Sequence, residues 1–168
     1  MLHVIREDAR QPEIAELIEY SDAYSASRYP EECRYPVDVT FLARPEVRFY
    51  VARCDGVAVG CGAAVLGADH TAELKRIIVR PDARGKGAGF NLLNAIEAAV
   101  AHERIRTVLL ETGPQSQEAL GLYRRCGYRE RGPYGSYQTS PHSVFMEKRL
   151  ARPEEPTAGH LHQVTFAD

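Results

Sequence analysis

The residues best suited to chemistry in this sequence form a basic, glycine-rich turn, Arg84-Gly85-Lys86-Gly87-Ala88-Gly89-Phe90. It follows an apolar, β-branched run ending at Val79 and precedes a pattern carrying Leu92, Leu93, Ile96 and Val100 at helical spacing. A strand that feeds a helix through such a turn leaves backbone N–H groups unpaired at the positive end of the helix dipole. Glycines, having no Cβ, let those groups approach a ligand closely. Arg84 and Lys86 add fixed positive charge. The chemistry is that of a phosphate or pyrophosphate site; the alternative is a plain β-to-α turn rich in glycine. Two better-known phosphate loops are excluded. Arg80 stands where a P-loop needs its first glycine, and Gly87 stands where it needs Ser or Thr after the lysine. Phe90 occupies the third glycine of a dinucleotide fingerprint.

The elements that must position this turn are legible on either side. Thr71–Val79 reads as a central strand, stopped by Pro81, which has no N–H for a ladder. The helix after the turn spans about Gly87 to Ala101. Arg106–Thr112 is a short, mostly apolar strand, expected to be buried on both faces and to run parallel to the central strand through a right-handed crossover. Upstream, Leu2–Arg6 reads as a strand, and Pro12 opens a helix with Ile14, Leu17 and Ile18 at helical spacing. Pro36–Pro45 reads as loop. Val47–Cys54 and Val57–Leu66 flank the hairpin signal Asp55-Gly56, with Gly60 and Gly62 weakening or bulging the second strand. Downstream, Ser116–Cys126 reads as a helix stopped by Gly127; Tyr128–Arg131 and Ser143–Leu150 read as strands around a loop, Gly132–Pro141. The order β-α, three-stranded meander, β-α-β-α-β-β places the chain in the α/β (mixed α+β) class. The expected architecture is a mostly antiparallel sheet of about seven strands with one parallel pair and helices on both faces. Residues 1–150 are expected to form one domain, with 151–168 a Pro- and Gly-containing tail.

Composition narrows the partners. The chain has 168 residues and a net charge of −2, which gives no case for nucleic acid or an anionic membrane. No window reaches the apolar length of a membrane span, and the charged N-terminus (Arg6, Glu7, Asp8, Arg10) does not read as a signal peptide. The four cysteines form no C-x-x-C pair and do not cluster with the six histidines, so they read as reduced thiols of a cytoplasmic protein and no metal is expected. His160 and His162 read as a solvated pair in the tail. Tyr20–Tyr35 concentrates Tyr20, Tyr24, Tyr29 and Tyr35 among Ser21, Asp22 and Arg28; it reads either as a pocket wall or as a half-exposed helix with a tyrosine edge.

Three blocks in order resemble the GCN5-related N-acetyltransferases. Arg84, Gly87 and Gly89 match that family's Arg/Gln-x-x-Gly-x-Gly/Ala phosphate loop; Ala119 through Leu122-Tyr123 to Gly127-Tyr128 match its A-x-x-L-Y-x-x-x-G-[FY] helix; and Ser143–Lys148 match its closing strand. The resemblance covers roughly residues 47–150. It implies that a bulge splays two parallel strands and that the pantetheine arm of acetyl-CoA lies in the opening. There it would pair with the backbone of Ile77, Ile78 and Val79. The pyrophosphate would sit on amides of Gly85, Lys86, Gly87, Ala88, Gly89 and Phe90, with Arg84 anchoring the loop. It further implies Glu73 as a base for the amine, with a salt bridge to Lys75 or Arg106 as its alternative role, and Tyr123 as the proton donor to the coenzyme-A sulfur. Ser116 stands where many relatives carry an asparagine against the cofactor, so that contact is expected to be weaker or taken over by Gln115 or Gln117.

The resulting reading is an acetyl-CoA-dependent N-acetyltransferase acting on a primary amine of a small molecule or peptide, without metal, with a homodimer possible by family habit. Substrate would enter between Tyr20–Tyr35, the strand near Glu73 and the Gly132–Pro141 loop, and Asp22, Tyr24, Arg28 and Tyr137 are the candidate pocket residues. Two alternatives stay open: an acyl-CoA-binding sensor of the same fold without turnover, and an acyltransferase that prefers a longer acyl group.

Overall fold

The computed structural model describes residues 1–153, so nearly all of the tail expected from Ala151 onward, with His160 and His162, lies outside the described residues. Seven strands form one sheet in the order β1-β2-β3-β4-β5-β7-β6. They are β1 (Leu2–Arg6), β2 (Val47–Cys54), β3 (Val57–Leu66), β4 (Thr71–Val79), β5 (Thr107–Thr112), β6 (Arg129–Arg131) and β7 (Val144–Arg149). Every pairing is antiparallel except β4 with β5. The longer helices are α1 (Pro12–Ala26), α3 (Ala88–His102) and α4 (Gln117–Arg125). The expected class, strand count and parallel pair are those observed.

Both faces of the sheet are covered. On one, Leu93, Ile96 and Val100 of α3 and Leu120 and Tyr123 of α4 pack on Val108, Leu110 and Met146. On the other, Ile14, Leu17 and Ile18 of α1 pack on Phe49, Val51, Cys61 and Ile78. Burial of Val108, Leu109 and Leu110 agrees with a strand covered on both sides. Pro36–Pro45 is not all loop. Val39–Leu42 forms a one-turn helix, α2, because Asp38 caps it by accepting from the Phe41 amide at 2.8 Å and Leu42 is buried beneath it. A single turn is too short to show in hydrophobic periodicity. The cysteines are free thiols; Cys61 and Cys126 are buried, and burial pushes the Cys61 thiol up to about 12.

The feature that shapes the molecule is a fault in the β3–β4 ladder. Register shifts between Cys61 and Ala63, opposite Arg76, whose φ is +54°. A non-glycine residue in the left-handed region is costly and persists only when held. Here the Arg76 guanidinium donates to the Val37 carbonyl at 2.9 Å and to Asp22 at 2.7 Å. Gly62 and Gly60 allow the close approach at this fault. A Cβ on Gly60 would stand 2.6 Å from the Ile78 carbonyl oxygen, and one on Gly62 would stand 2.5 Å from Ile77 Cδ1. Gly60→Ala therefore forces two backbones apart. The expected cost is about 2 kcal/mol, read in a melting experiment as a loss of roughly 4–8 °C.

Candidate active site

The β4–β5 ladder is brief. Thr71, Ala72 and Glu73 pair with Thr107, Val108 and Leu109, and no pair follows on β4, although β5 stays paired with β7 to Thr112. Past the bulge, the edge of β4 at Ile77–Val79 faces an opening rather than a neighbour. The opening is the mouth of a cleft of about 1050 Å³ whose walls include α1, the end of β4, the glycine turn, the end of β5 and α4. Unpaired strand edges inside a protein need another partner for their amides and carbonyls. A long ligand carrying amides of its own would meet that need.

At the other end of the opening, the glycine turn presents unpaired amides at the start of a helix. Gly85 and Gly87 have φ of +73° and +83°, a region where glycine carries no Cβ penalty. Gly87 is the N-cap of α3 and no side chain caps the helix. Among the described residues the amides from Gly85 to Phe90 have no backbone acceptor. The 15-residue α3 places its positive end here. Gly89 lies against α4, where a Cβ would come within 2.8 Å of Leu122 Cδ2. Arg84 ties the turn to both walls: Nε donates to the Val79 carbonyl at 3.3 Å, Nη2 to the Tyr20 hydroxyl at 3.0 Å, and Nη1 pairs with Glu118 at 2.5 Å. Lys86 is exposed and donates to the Asp82 carbonyl. Phe90 is half exposed at the rim of the cleft.

The titratable side chains divide into two groups. Tyr123 is buried on α4, edge-on to Tyr128 with ring centroids 5.7 Å apart, and lines the cleft. Burial, then the nearby Glu111 carboxylate, raise its pKa well above the ordinary phenol value, so its proton stays on throughout the neutral range. Glu111, near the end of β5, also lines the cleft; burial, opposed by the nearby Ser143 hydroxyl and by Lys75 and reinforced by Glu73, raises its carboxyl above the usual range. Glu73 does not line the cleft. Its Oε1 accepts from the Tyr134 hydroxyl at 3.0 Å and the Tyr137 hydroxyl at 2.6 Å and pairs with Lys75 at 2.9 Å. Of the two partners expected for a structural Glu73, Lys75 is the one found; Arg106 turns to the Ile105 carbonyl.

The remaining candidates are dispersed. Ser116 lines the cleft, but its hydroxyl is 3.1 Å from that of Tyr29, which also accepts from the Gln115 amide at 3.0 Å. Tyr29 thus fastens the β5–α4 loop to the end of α1. Gly113 is glycine because a Cβ there would overlap the Tyr29 ring. Gln115 and Gln117 donate to the Arg28 and Pro114 carbonyls. Asp22 lines the cleft and is paired with Arg76. Tyr24 lines it too, whereas Arg28 is exposed, outside the lining, with its guanidinium 3.8 Å over the Tyr24 ring. Tyr137 stands behind the wall, edge-on to Tyr35 at 4.9 Å. Glu111 and Arg34 are cleft residues that were not singled out from the sequence, whereas Tyr29 belongs to the tyrosine-rich segment named there. For Glu111 a signal existed: it is an acid inside a strand expected to be buried on both faces.

A parallel pair split by a bulge, with an uncapped helix N-terminus at its mouth, defines an acyl-CoA-type acyltransferase fold. The chain belongs to the acetyltransferase (GNAT) family, whose family model matches residues 13–128. It is 40% identical over 148 residues to the IAA acetyltransferase of Azospirillum brasilense, covering 88% of this chain and 97% of that protein. A Klebsiella pneumoniae crystal structure, provisionally assigned as an acyl-CoA N-acyltransferase, is 34% identical with a TM-score of 0.76, covering 90% of this chain and 99% of its own. The PaiA N-acetyltransferase of Thermoplasma acidophilum, solved with coenzyme A, shares the fold at 19% identity and a TM-score of 0.69 over 89% of this chain and 99% of its own. Among the described residues no helix is long and apolar enough to cross a membrane, and no group of three or more His, Cys, Asp or Glu is placed to hold a metal ion.

Proposed function

We propose that this protein, through a single catalytic domain at residues 1–150, transfers the acetyl group of acetyl-CoA to a primary amine of a small molecule or peptide, by direct attack in a ternary complex. The observation that carries the reading is the continuous track from the open β4 edge at Ile77–Val79 to the unpaired amides at Gly85–Phe90. The first suits an amide-bearing arm and the second a pyrophosphate. Acetyl-CoA supplies the activated thioester. The chain's part is to hold it and to manage two protons. Glu111, whose carboxyl burial makes more basic, takes the proton that the amine must lose to attack, directly or through one water. A C–N bond forms as the C–S bond breaks, and Tyr123 donates its proton to the departing sulfur. A backbone amide near Val79 stabilises the oxyanion. Glu73 holds Lys75, Tyr134 and Tyr137 and shapes the field at Glu111.

Calorimetric titration with acetyl-CoA, beside free coenzyme A, tests the cofactor half of the reading. Micromolar binding is expected. Arg84→Ala removes one charge-assisted contact and weakens binding by about 10–100-fold. Gly87→Ala strains the φ of +83° and weakens it further. Unchanged affinity in both variants would place the pyrophosphate elsewhere.

A further inference from the structure

One buried donor of a cleft cation has no partner. Arg34 follows the 3₁₀ turn at Glu31–Cys33 and lines the cleft. Its Nε is buried without a hydrogen-bond partner. Among the described residues its guanidinium has no ion pair, whereas the nearby cations do: Lys75 with Glu73, Arg76 with Asp22, Arg84 with Glu118. A buried donor left unpaired is costly and calls for an explanation. The segment bearing it is fixed, not drifting. The Val37 carbonyl accepts from Arg76 at the β4 bulge, and Tyr35 packs edge-on against Tyr137, which donates to Glu73. Arg34 is therefore held on the α1 side of the cleft, near the same strand whose bulge opens the cofactor track.

We propose that Arg34 receives the carboxylate of the acceptor, so that the substrate is a small molecule carrying both a primary amine and a carboxylate, of the amino-acid type. The guanidinium fork matches a carboxylate with two parallel hydrogen bonds. It would satisfy the orphaned Nε and direct the amine of the same molecule toward Glu111. Local charge points the same way. Asp22 and Glu73 are already paired with Arg76 and Lys75, so neither competes for the Arg34 guanidinium. The inference rests on the amine-acetylating reading and narrows its acceptor.

The experiment compares amino acids with their carboxamides, glycine with glycinamide and phenylalanine with phenylalaninamide. It measures thiol release from acetyl-CoA, with rates corrected for the fraction of neutral amine. The carboxylates are expected to lead in kcat/KM by about tenfold or more. Arg34→Gln lowers the carboxylates by about 10–100-fold, leaves the carboxamides within about threefold and leaves acetyl-CoA affinity unchanged; Arg34→Lys recovers part of the loss. Carboxamides turned over as well as carboxylates, or an Arg34→Gln effect equal on both, would overturn the role of Arg34 while leaving the acetyltransferase intact. If acetyl-CoA binds and nothing turns over, calorimetry of the same pairs on coenzyme-saturated protein decides: carboxylate binding lost in Arg34→Gln supports the site, and its absence in the native protein overturns it. Failure to bind acetyl-CoA at all removes the function and this inference together.

Discussion

Glu111→Gln is expected to lower kcat/KM by about 10²–10⁴-fold, the range that a positioned general base contributes. The substitution keeps the shape and removes the basicity. In the native protein, activity rises as Glu111 loses its proton. Because burial raises that carboxyl, the acidic limb of the pH–rate profile lies above the ordinary carboxylate value rather than at it. Glu111→Gln abolishes this limb and leaves only the titration of the substrate amine. Glu73→Gln is the matched control. Its carboxylate is occupied by two tyrosine hydroxyls and Lys75, so the variant loosens that cluster, costs about tenfold, and keeps the limb. A limb lost in Glu73→Gln and kept in Glu111→Gln would reverse the two roles.

Tyr123→Phe is expected to reduce kcat by about 10²-fold or more while acetyl-CoA affinity stays within a few-fold. The ring is packed among Leu120, Tyr128 and Met146, and phenylalanine preserves that packing, so folding survives the change. Only the proton for the departing sulfur is lost. The raised pKa of Tyr123 keeps the hydroxyl protonated, so native activity shows no alkaline fall from its ionisation near the usual phenol pKa. An acyl donor with a more acidic thiol needs less help on departure. The Tyr123→Phe deficit should shrink with such a donor; a deficit independent of the leaving group would make Tyr123 a packing residue.

Much of the fold was legible because it is written in local signals. Alternation and β-branching marked β2, β3 and β4, helical spacing marked α1 and α3, and Asp55-Gly56 and Gly127 marked a hairpin and a helix end. The glycine turn was legible for the same reason: all its parts lie within seven consecutive residues. Where signals were short, they failed. The single turn of α2 depends on one aspartate cap and one buried leucine.

The site was legible only in part, and the boundary is physical. By itself the sequence determined which residues build the strand, the glycine turn and the helix after it, since dihedral preference and amphipathic period are properties of neighbours in the chain. It also placed Tyr123 on a helix. Which carboxylate meets the cleft was decided by the tertiary structure. Glu73 and Glu111 share a face of adjacent strands. Tyr134, Tyr137 and Lys75 converge on Glu73, whereas Glu111 lies past the point where β4 turns away and lines the opening. Arg34 gave no signal at all, being one basic residue among many in the sequence. Its difference lies in a buried Nε with no partner, and that follows from what the rest of the chain, folded around it, fails to bring near.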